Sequence, residues 1–186
     1  MRIIAGDHRG RKLAQVPGDH IRPTSDRIRE ALFNILGPFV RGARVLDLFA
    51  GTGALGLEAM SRGAQNAVFV DASPASCGAI KENIQRCHLE DATQIKQSKA
   101  ADFVFTDRVF DLVFMDPPYH KGLIPPILGN EDFVKSLSPE AIVVVEQDAK
   151  EDKLRSFEGL DIYRQKKYSR TLISFITPNA VKGHNP

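Results

Sequence analysis

The residues Asp116-Pro117-Pro118-Tyr119 close an apolar run, Leu112-Val113-Phe114-Met115, that reads as a buried strand. A carboxylate, a proline carbonyl and an aromatic ring at one strand end suit work on the exocyclic amine of a nucleic-acid base. Such an amine is a poor nucleophile, because its lone pair is delocalised into the ring. Acceptors aimed at its hydrogens help, and Asp116 supplies one and the Pro117 carbonyl another. Pro117 and Pro118 lack an N–H and stiffen the turn, so the acceptors stay aimed. Tyr119 offers a face on which an extruded base can stack. Methyl transfer to such an amine needs no metal and no covalent intermediate, and depends mainly on positioning. The competing reading is a proline-rich surface turn after a strand.

A second group lies upstream, Asp47-Leu48-Phe49-Ala50-Gly51-Thr52-Gly53-Ala54-Leu55-Gly56, with Asp71 twenty residues beyond Gly51. Gly51, Gly53 and Gly56 form a Gly-x-Gly-x-x-Gly loop between a strand and a helix, which lets the backbone turn tightly and approach a ligand. The Asp71 carboxylate can accept from both hydroxyls of a ribose. NAD and S-adenosylmethionine both carry an adenosine ribose, so these residues alone do not separate them. Asp47 favours the second, because a carboxylate before the loop repels a pyrophosphate and suits an ammonium and a sulfonium. A glycine loop alone can be a structural turn, but Asp47 and Asp71 in these places point to cofactor binding.

Strands and helices must alternate to position these groups. Residues 44–49, 67–71, 93–96, 110–116 and 141–146 read as strands, and 161–167 with 171–176 as a terminal hairpin. Helices are expected from about Ala54 to Arg62, from Ser73-Pro74 to about Cys87, and over Phe133–Leu137, with a short one near Ala100–Phe105. A further helix starts at Thr24 or Ser25 as N-cap and stops at Gly37-Pro38, with Ile28, Leu32, Ile35 and Leu36 on its buried face. The first residues suggest a small hairpin of 2–5 with 11–15. This pattern predicts an α/β fold whose sheet has seven strands, mostly parallel, with the last one antiparallel. One domain over 1–186 is expected: a basic extension over 1–43, the core over 44–177 and a tail over 178–186.

Composition narrows the class. The 186 residues are 42% hydrophobic and 26% charged, as in a globular domain. There is no apolar stretch of about 18 residues and no secretory signal, so a cytoplasmic protein is expected. Cys77 and Cys87 lie ten residues apart on one helix, about 15 Å along its axis, too far for a disulfide. Five scattered histidines form no zinc spacing, so no metal is expected. The net charge of +2 conceals a basic first segment: residues 1–44 carry nine basic and four acidic residues. Either a polyanionic partner or a solubilising surface explains that asymmetry. The candidate RNA contacts are Arg2, Arg9, Arg11, Lys12, Arg22, Arg27 and Arg29, in a segment whose first part has little apolar content. Deleting residues 1–15 is therefore expected to weaken RNA binding and to leave cofactor affinity almost unchanged. His120 could touch RNA; Glu146 lines the cleft or is structural; Arg164, Lys166, Lys167 and Arg170 contact phosphate or form a solvated hairpin face.

Taken in order, Asp47–Gly56, Asp71 and Asp116–Tyr119 resemble the three site motifs of class I (Rossmann-like) amino-methyltransferases. Arg2-Ile3-Ile4-Ala5-Gly6, Arg9-Gly10-Arg11-Lys12-Leu13 and Arg22-Pro23-Thr24-Ser25-Asp26-Arg27-Ile28-Arg29-Glu30 sharpen the resemblance to the bacterial RsmD family. That family methylates the 2-amino group of one guanine in small-subunit (16S) ribosomal RNA. The resemblance covers nearly the whole chain. It implies S-adenosylmethionine as cofactor, with Phe49, Gly51, Thr52 and Gly53 at its methionine end, Asp71 on the ribose and the loop Ser98-Lys99-Ala100 passing the adenine. It also implies Thr24 and Arg27 at the mouth of the site, bridging cofactor and RNA. The expected partner is small-subunit RNA or an assembly particle, and no segment suggests oligomerisation, so a monomer is expected. The alternatives are a DNA or tRNA amino-methyltransferase, a non-catalytic RNA-binding protein of this fold, and a NAD-dependent oxidoreductase. The first would need more sequence to read its target, and the last leaves Asp116–Tyr119 unexplained.

Overall fold

The structure, a computed structural model, describes residues 1–16, 26–105, 109–152, 154 and 157–179. Runs of Val, Leu and Phe with few interruptions build the inner strands. These are β1 (Arg44–Leu48), β2 (Asn66–Asp71), β3 (Thr93–Gln97), β4 (Phe110–Met115) and β5 (Leu137–Asp148). β6 (Leu160–Tyr168) and β7 (Thr171–Pro178) complete one seven-stranded sheet in the order β3-β2-β1-β4-β5-β7-β6. The first five strands pair in parallel, and β7 runs antiparallel to both β5 and β6. The expected seven strands with an antiparallel last one are therefore found.

Each strand's alternation divides its apolar residues between two cores. Val45, Phe69, Leu112, Phe114 and Val144 pack on one face under α1 (Asp26–Leu36), α2 (Ala54–Ser61) and α3 (Pro74–Cys87). Leu46, Leu48, Val70, Val113, Met115 and Val145 pack on the other under α4 (Ile124–Leu128), α5 (Glu131–Lys135) and Phe103–Phe105. Pro74 occupies the first turn of α3, Ser73 caps it by accepting from the Ser76 N–H at 3.3 Å, and left-handed His88 ends it. Cys77 and Cys87 are free thiols on that helix.

The first residues do form the small hairpin: the Ile3 N–H donates to the Arg11 carbonyl at 3.0 Å and the Gly10 N–H to the Ile3 carbonyl at 2.9 Å. It is not a loose arm, however. Ile3 and Leu13 are buried in the first core. The Ile4 and Ala5 N–H groups donate to the buried Glu58 carboxylate at 2.7 and 3.1 Å. The segment's low apolar content does not keep it off the core: Ile3 and Leu13, with the hydrogen bonds to Glu58, Ser61 and Asn83, seat it.

Candidate active site

Order reverses between β1 and β4, since the chain adds β2 and β3 on one side and β4 and β5 on the other. Ligands of open α/β sheets bind beyond the carboxyl ends of strands at such a switch point. Asp47 and the glycine loop stand at the end of β1, Asp71 at the end of β2 and Asp116 just past β4, so the fold brings the three motifs to one edge.

The loop is built by hydrogen bonds to two carboxylates. Asp47, 2% exposed, accepts from the Gly56 N–H at 2.9 Å. Asp71 accepts from the Gly51 N–H through one oxygen and from the Ser73 N–H through the other, both at 2.8 Å. Its carbonyl accepts from the Ser98 N–H at 3.0 Å, which lays the Ser98-Lys99-Ala100 loop against it. Gly51 and Gly53 have φ of 57° and 76°, in the left-handed region, and Phe49 shares it at 62°. A Cβ on Gly56 would lie 2.4 Å from the Phe69 ring, so the third glycine is required for helix-to-strand packing. In front of Gly51 there is open space.

Asp47 is corrected in one respect. Burial pushes its carboxyl up to about 8, with the Asp71 charge adding and the Gly56 hydrogen bond opposing. Near neutral pH it is mostly the uncharged acid and faces into the protein, so it fastens loop to helix and does not present a charge to a ligand. The N–H groups of Gly51, Gly53 and Gly56 donate to Asp71, the Ala50 carbonyl and Asp47. A pyrophosphate needs such groups directed outward, so this loop fits a phosphate-free ligand.

At the end of β4, Asp116 is half-buried, Pro117 buried and Pro118 exposed. The Tyr119 hydroxyl donates to Glu146 Oε1 at 2.9 Å. Burial raises the phenol's pKa, and the charges of Glu146 and Asp116 raise it further, so the hydroxyl keeps its proton. The His120 N–H donates to Glu151 at 2.8 Å, and its ring lies 3.7 Å from Asp148. The Asp116–Tyr119 turn is thus tied to the end of β5 and the residues after it.

Two buried polar residues outside the motifs make contacts at this end of the sheet. Asn83 on α3 accepts from the Ala14 N–H at 2.6 Å and donates to the Thr52 carbonyl at 2.9 Å. It bridges the N-terminal hairpin and the glycine loop. The signal was present: Ala79, Ile80, Ile84 and Cys87 mark one apolar face, and Asn83 is an amide set among them. Glu146 is the second, almost wholly buried among the residues of β5.

Of the candidate RNA contacts, Arg2, Arg9, Lys12 and Arg27 are exposed and Arg11 is half-buried. Arg29 is corrected. At 1% exposure it donates to the Arg2 carbonyl and to Asp26 at 3.1 Å, and it lies 4.0 Å from Glu58, so no phosphate reaches it. Its helical spacing places it with Leu32, Phe33 and Leu36 on the packed side of α1. Arg22 and Thr24 lie outside the described residues. Among the described residues no group of His, Cys, Asp or Glu could hold a metal ion, and no helix is long and apolar enough to cross a membrane.

A family model described as Conserved hypothetical protein 95 matches residues 1–177. The chain belongs to this family, the RsmD family. It is 39% identical over 153 residues to the ribosomal RNA small subunit methyltransferase D of Haemophilus influenzae, covering 80% of this chain and 79% of the relative. It is 33% identical over 175 residues to YlbH of Bacillus subtilis, covering 92% and 95%. Among solved structures, the Escherichia coli protein yhhF superposes with a TM-score of 0.84 at 32% identity, over 97% of this chain and 98% of that one. As an RsmD-family chain it is matched along its length, hairpin included.

Proposed function

We propose that this chain is an S-adenosylmethionine-dependent methyltransferase acting on the 2-amino group of a guanine in small-subunit ribosomal RNA. The observation that carries this reading is the pairing of an Asp-Pro-Pro-Tyr turn with a glycine loop across the switch point. The loop's glycine N–H groups are used within the protein, so a dinucleotide fits poorly and a sulfonium cofactor fits well. The family relatives named as small-subunit ribosomal RNA methyltransferases support the substrate class.

When bound, the cofactor supplies an electrophilic methyl group. Asp71 would hold its ribose, Phe49, Gly51, Thr52 and Gly53 its methionine end, and the loop at Ala100 its adenine. Asp47 keeps the loop in shape from behind. Asp116 and the Pro117 carbonyl accept from the amine hydrogens, so the nitrogen lone pair is directed out of the base plane. As the nitrogen gains the methyl group, Asp116 is placed to take its surplus proton. Pro117 and Pro118 fix the turn, and Tyr119 braces the base. Arg2, Arg9, Arg11, Lys12 and Arg27 are the phosphate contacts in this reading, and Arg22 and Thr24 are further candidate RNA contacts. The partner is the small-subunit RNA, free or in an assembly particle, and the protein works as a monomer in the cytoplasm. We also propose one domain, with residues 1–43 serving as its RNA-facing extension.

The test is tritiated-methyl transfer to small-subunit particles from a strain lacking this protein, followed by nucleoside analysis. Label in N2-methylguanosine is expected. Label in another nucleoside, or none with cofactor bound, would overturn the proposal.

A further inference from the structure

The Asp-Pro-Pro-Tyr turn explains how an amine is held, but not how guanine is chosen. Adenine and cytosine also carry an exocyclic amine, and a single carboxylate accepts from any of them. Guanine differs at the neighbouring ring atom. Its N1 bears a hydrogen, so N1–H and the 2-amino group form two adjacent donors. In adenine and cytosine the ring nitrogen beside the amine is an acceptor.

The sheet sets a second acceptor beside the first. β4 and β5 pair in parallel with Phe114 opposite Val144 and Met115 opposite Val145. Asp116 is the residue after Met115 and Glu146 the residue after Val145, at the same end of the two strands. Paired residues of neighbouring strands lie about 4.8 Å apart. Phe114 and Val144 belong to the same core face, and a strand returns to the same face every second residue. Asp116 and Glu146 therefore continue β4 and β5 at the same end of the sheet, each two residues beyond a member of that face. The Tyr119 hydroxyl reports the same arrangement, since it donates to Glu146 and feels both carboxylates. Glu146 is 6% exposed, so a group that meets it does so with little water present. A carboxylate has about four lone-pair sites, so it can accept from more than one donor at once.

We infer that Glu146 selects guanine by accepting the ring N1–H while Asp116 and the Pro117 carbonyl accept from the 2-amino group. This rests on the methyltransferase reading above. A base that turned a ring acceptor toward Glu146 would set lone pair against lone pair in a nearly dry site. Sites built to receive a hydrogen bond reject analogues lacking it strongly, because the buried group is left unpaired.

The experiment uses 2-aminopurine, which keeps the 2-amino group but has an acceptor at N1. Ribosomal RNA carrying guanine or 2-aminopurine at the methylated position is made by splinted ligation and assembled into particles. The wild-type protein is expected to methylate guanine with a kcat/KM at least about a hundredfold above that for 2-aminopurine. In Glu146→Gln the side-chain amide can donate to the N1 acceptor, so the ratio should shift toward 2-aminopurine by at least about tenfold. Tyr119→Phe removes the hydroxyl bond to Glu146 and should leave the ratio near that of wild type. Circular dichroism verifies folding of each variant. An unchanged ratio in Glu146→Gln, or the same shift in Tyr119→Phe, would reduce Glu146 to a support for Tyr119 and overturn the inference. Wild-type protein that methylates both bases equally overturns it without any variant. Wild-type protein that transfers no methyl to guanine sinks the methyltransferase reading, and this inference with it.

Discussion

Replacing Asp116 by alanine removes the carboxylate just past β4 and leaves the buried strand residues Leu112–Met115 untouched. Turnover is expected to fall by at least about a hundredfold, the range seen when an aimed polar group is lost. The circular dichroism spectrum and melting temperature should stay near wild type; methyl transfer at the wild-type rate by a folded variant would show that the amine is held elsewhere. Asp47 makes a different kind of prediction, because its carboxyl titrates at about 8 in the fold and near 3.8 in a free chain. Below pH 4 folded and unfolded states both keep the proton. Between about 4 and 8 the unfolded chain releases it and the folded one retains it, so this group lowers stability as pH rises, and above 8 its effect is constant. Asp47→Asn still offers an oxygen to the Gly56 N–H but has no proton to lose. Urea melts should show the variant gaining on wild type by at least about 1 kcal/mol between pH 5 and pH 8; a constant difference would mean that Asp47 titrates normally. The two residues also show what a sequence reveals at this scale. The place of Asp116 at the end of β4 was legible from the apolar run Leu112–Met115 before it. The state of Asp47 was not, because burial, which strands and helices create together, decides it.

At the scale of elements, the alternation of β1 through β5 with helices could be read from runs such as Val45–Leu48 and Ala67–Val70, whose apolar residues need cover on both faces. α4 could not: Ile124-Pro125-Pro126-Ile127-Leu128 looks like a turn, and the prolines are tolerated only because they fall in the first turn of a very short helix. Nor could the depth of the hairpin, which depends on Glu58, Ser61 and Asn83 more than fifty residues away. That contact changes an expectation. Removing residues 1–15 would expose Glu58 and Asn83 and strip Ile3 and Leu13 from the core, so a deletion cannot isolate RNA contacts. A point substitution can test the link to the cofactor loop. In Asn83→Asp the carboxylate still receives the Ala14 N–H, but it meets the Ala14 and Thr52 carbonyls, which lose their donor. Stability should fall by about 1–3 kcal/mol in urea melts, and S-adenosylhomocysteine should bind more weakly by calorimetry well below the melting temperature. Lower stability with unchanged affinity would confine Asn83 to folding.

Across the whole molecule, charge is distributed on two surfaces that could meet RNA. Arg2, Arg9, Lys12 and Arg27 are exposed on the hairpin and α1, which cover the core face holding Phe114 and Val144. Arg164, Lys166 and Lys167 are exposed on β6, an edge strand, where cations also prevent pairing with another chain. The second set therefore has a sufficient reason without RNA, and the first has none beyond the 3.8 Å ion pair of Arg2 with Asp26, since among the described candidate cations of the first segment only Arg29 is buried. Each phosphate contact releases condensed counterions, so the number of contacts can be read from the slope of log affinity against log salt, about 0.7–0.9 per contact. Arg2→Gln, Arg9→Gln and Lys12→Gln together keep the hairpin's backbone bonds and its buried Ile3 and Leu13. The triple variant should bind small-subunit RNA more weakly, with a slope shallower by about 2. Its affinity for S-adenosylhomocysteine should not change, because the bonds that hold the glycine loop run to Asp71, Asp47 and the Ala50 carbonyl. Filter binding at four or more salt concentrations gives the slope. The same slope in variant and wild type would move the RNA surface to β6, and the matching triple substitution of Arg164, Lys166 and Lys167 would then have to flatten it.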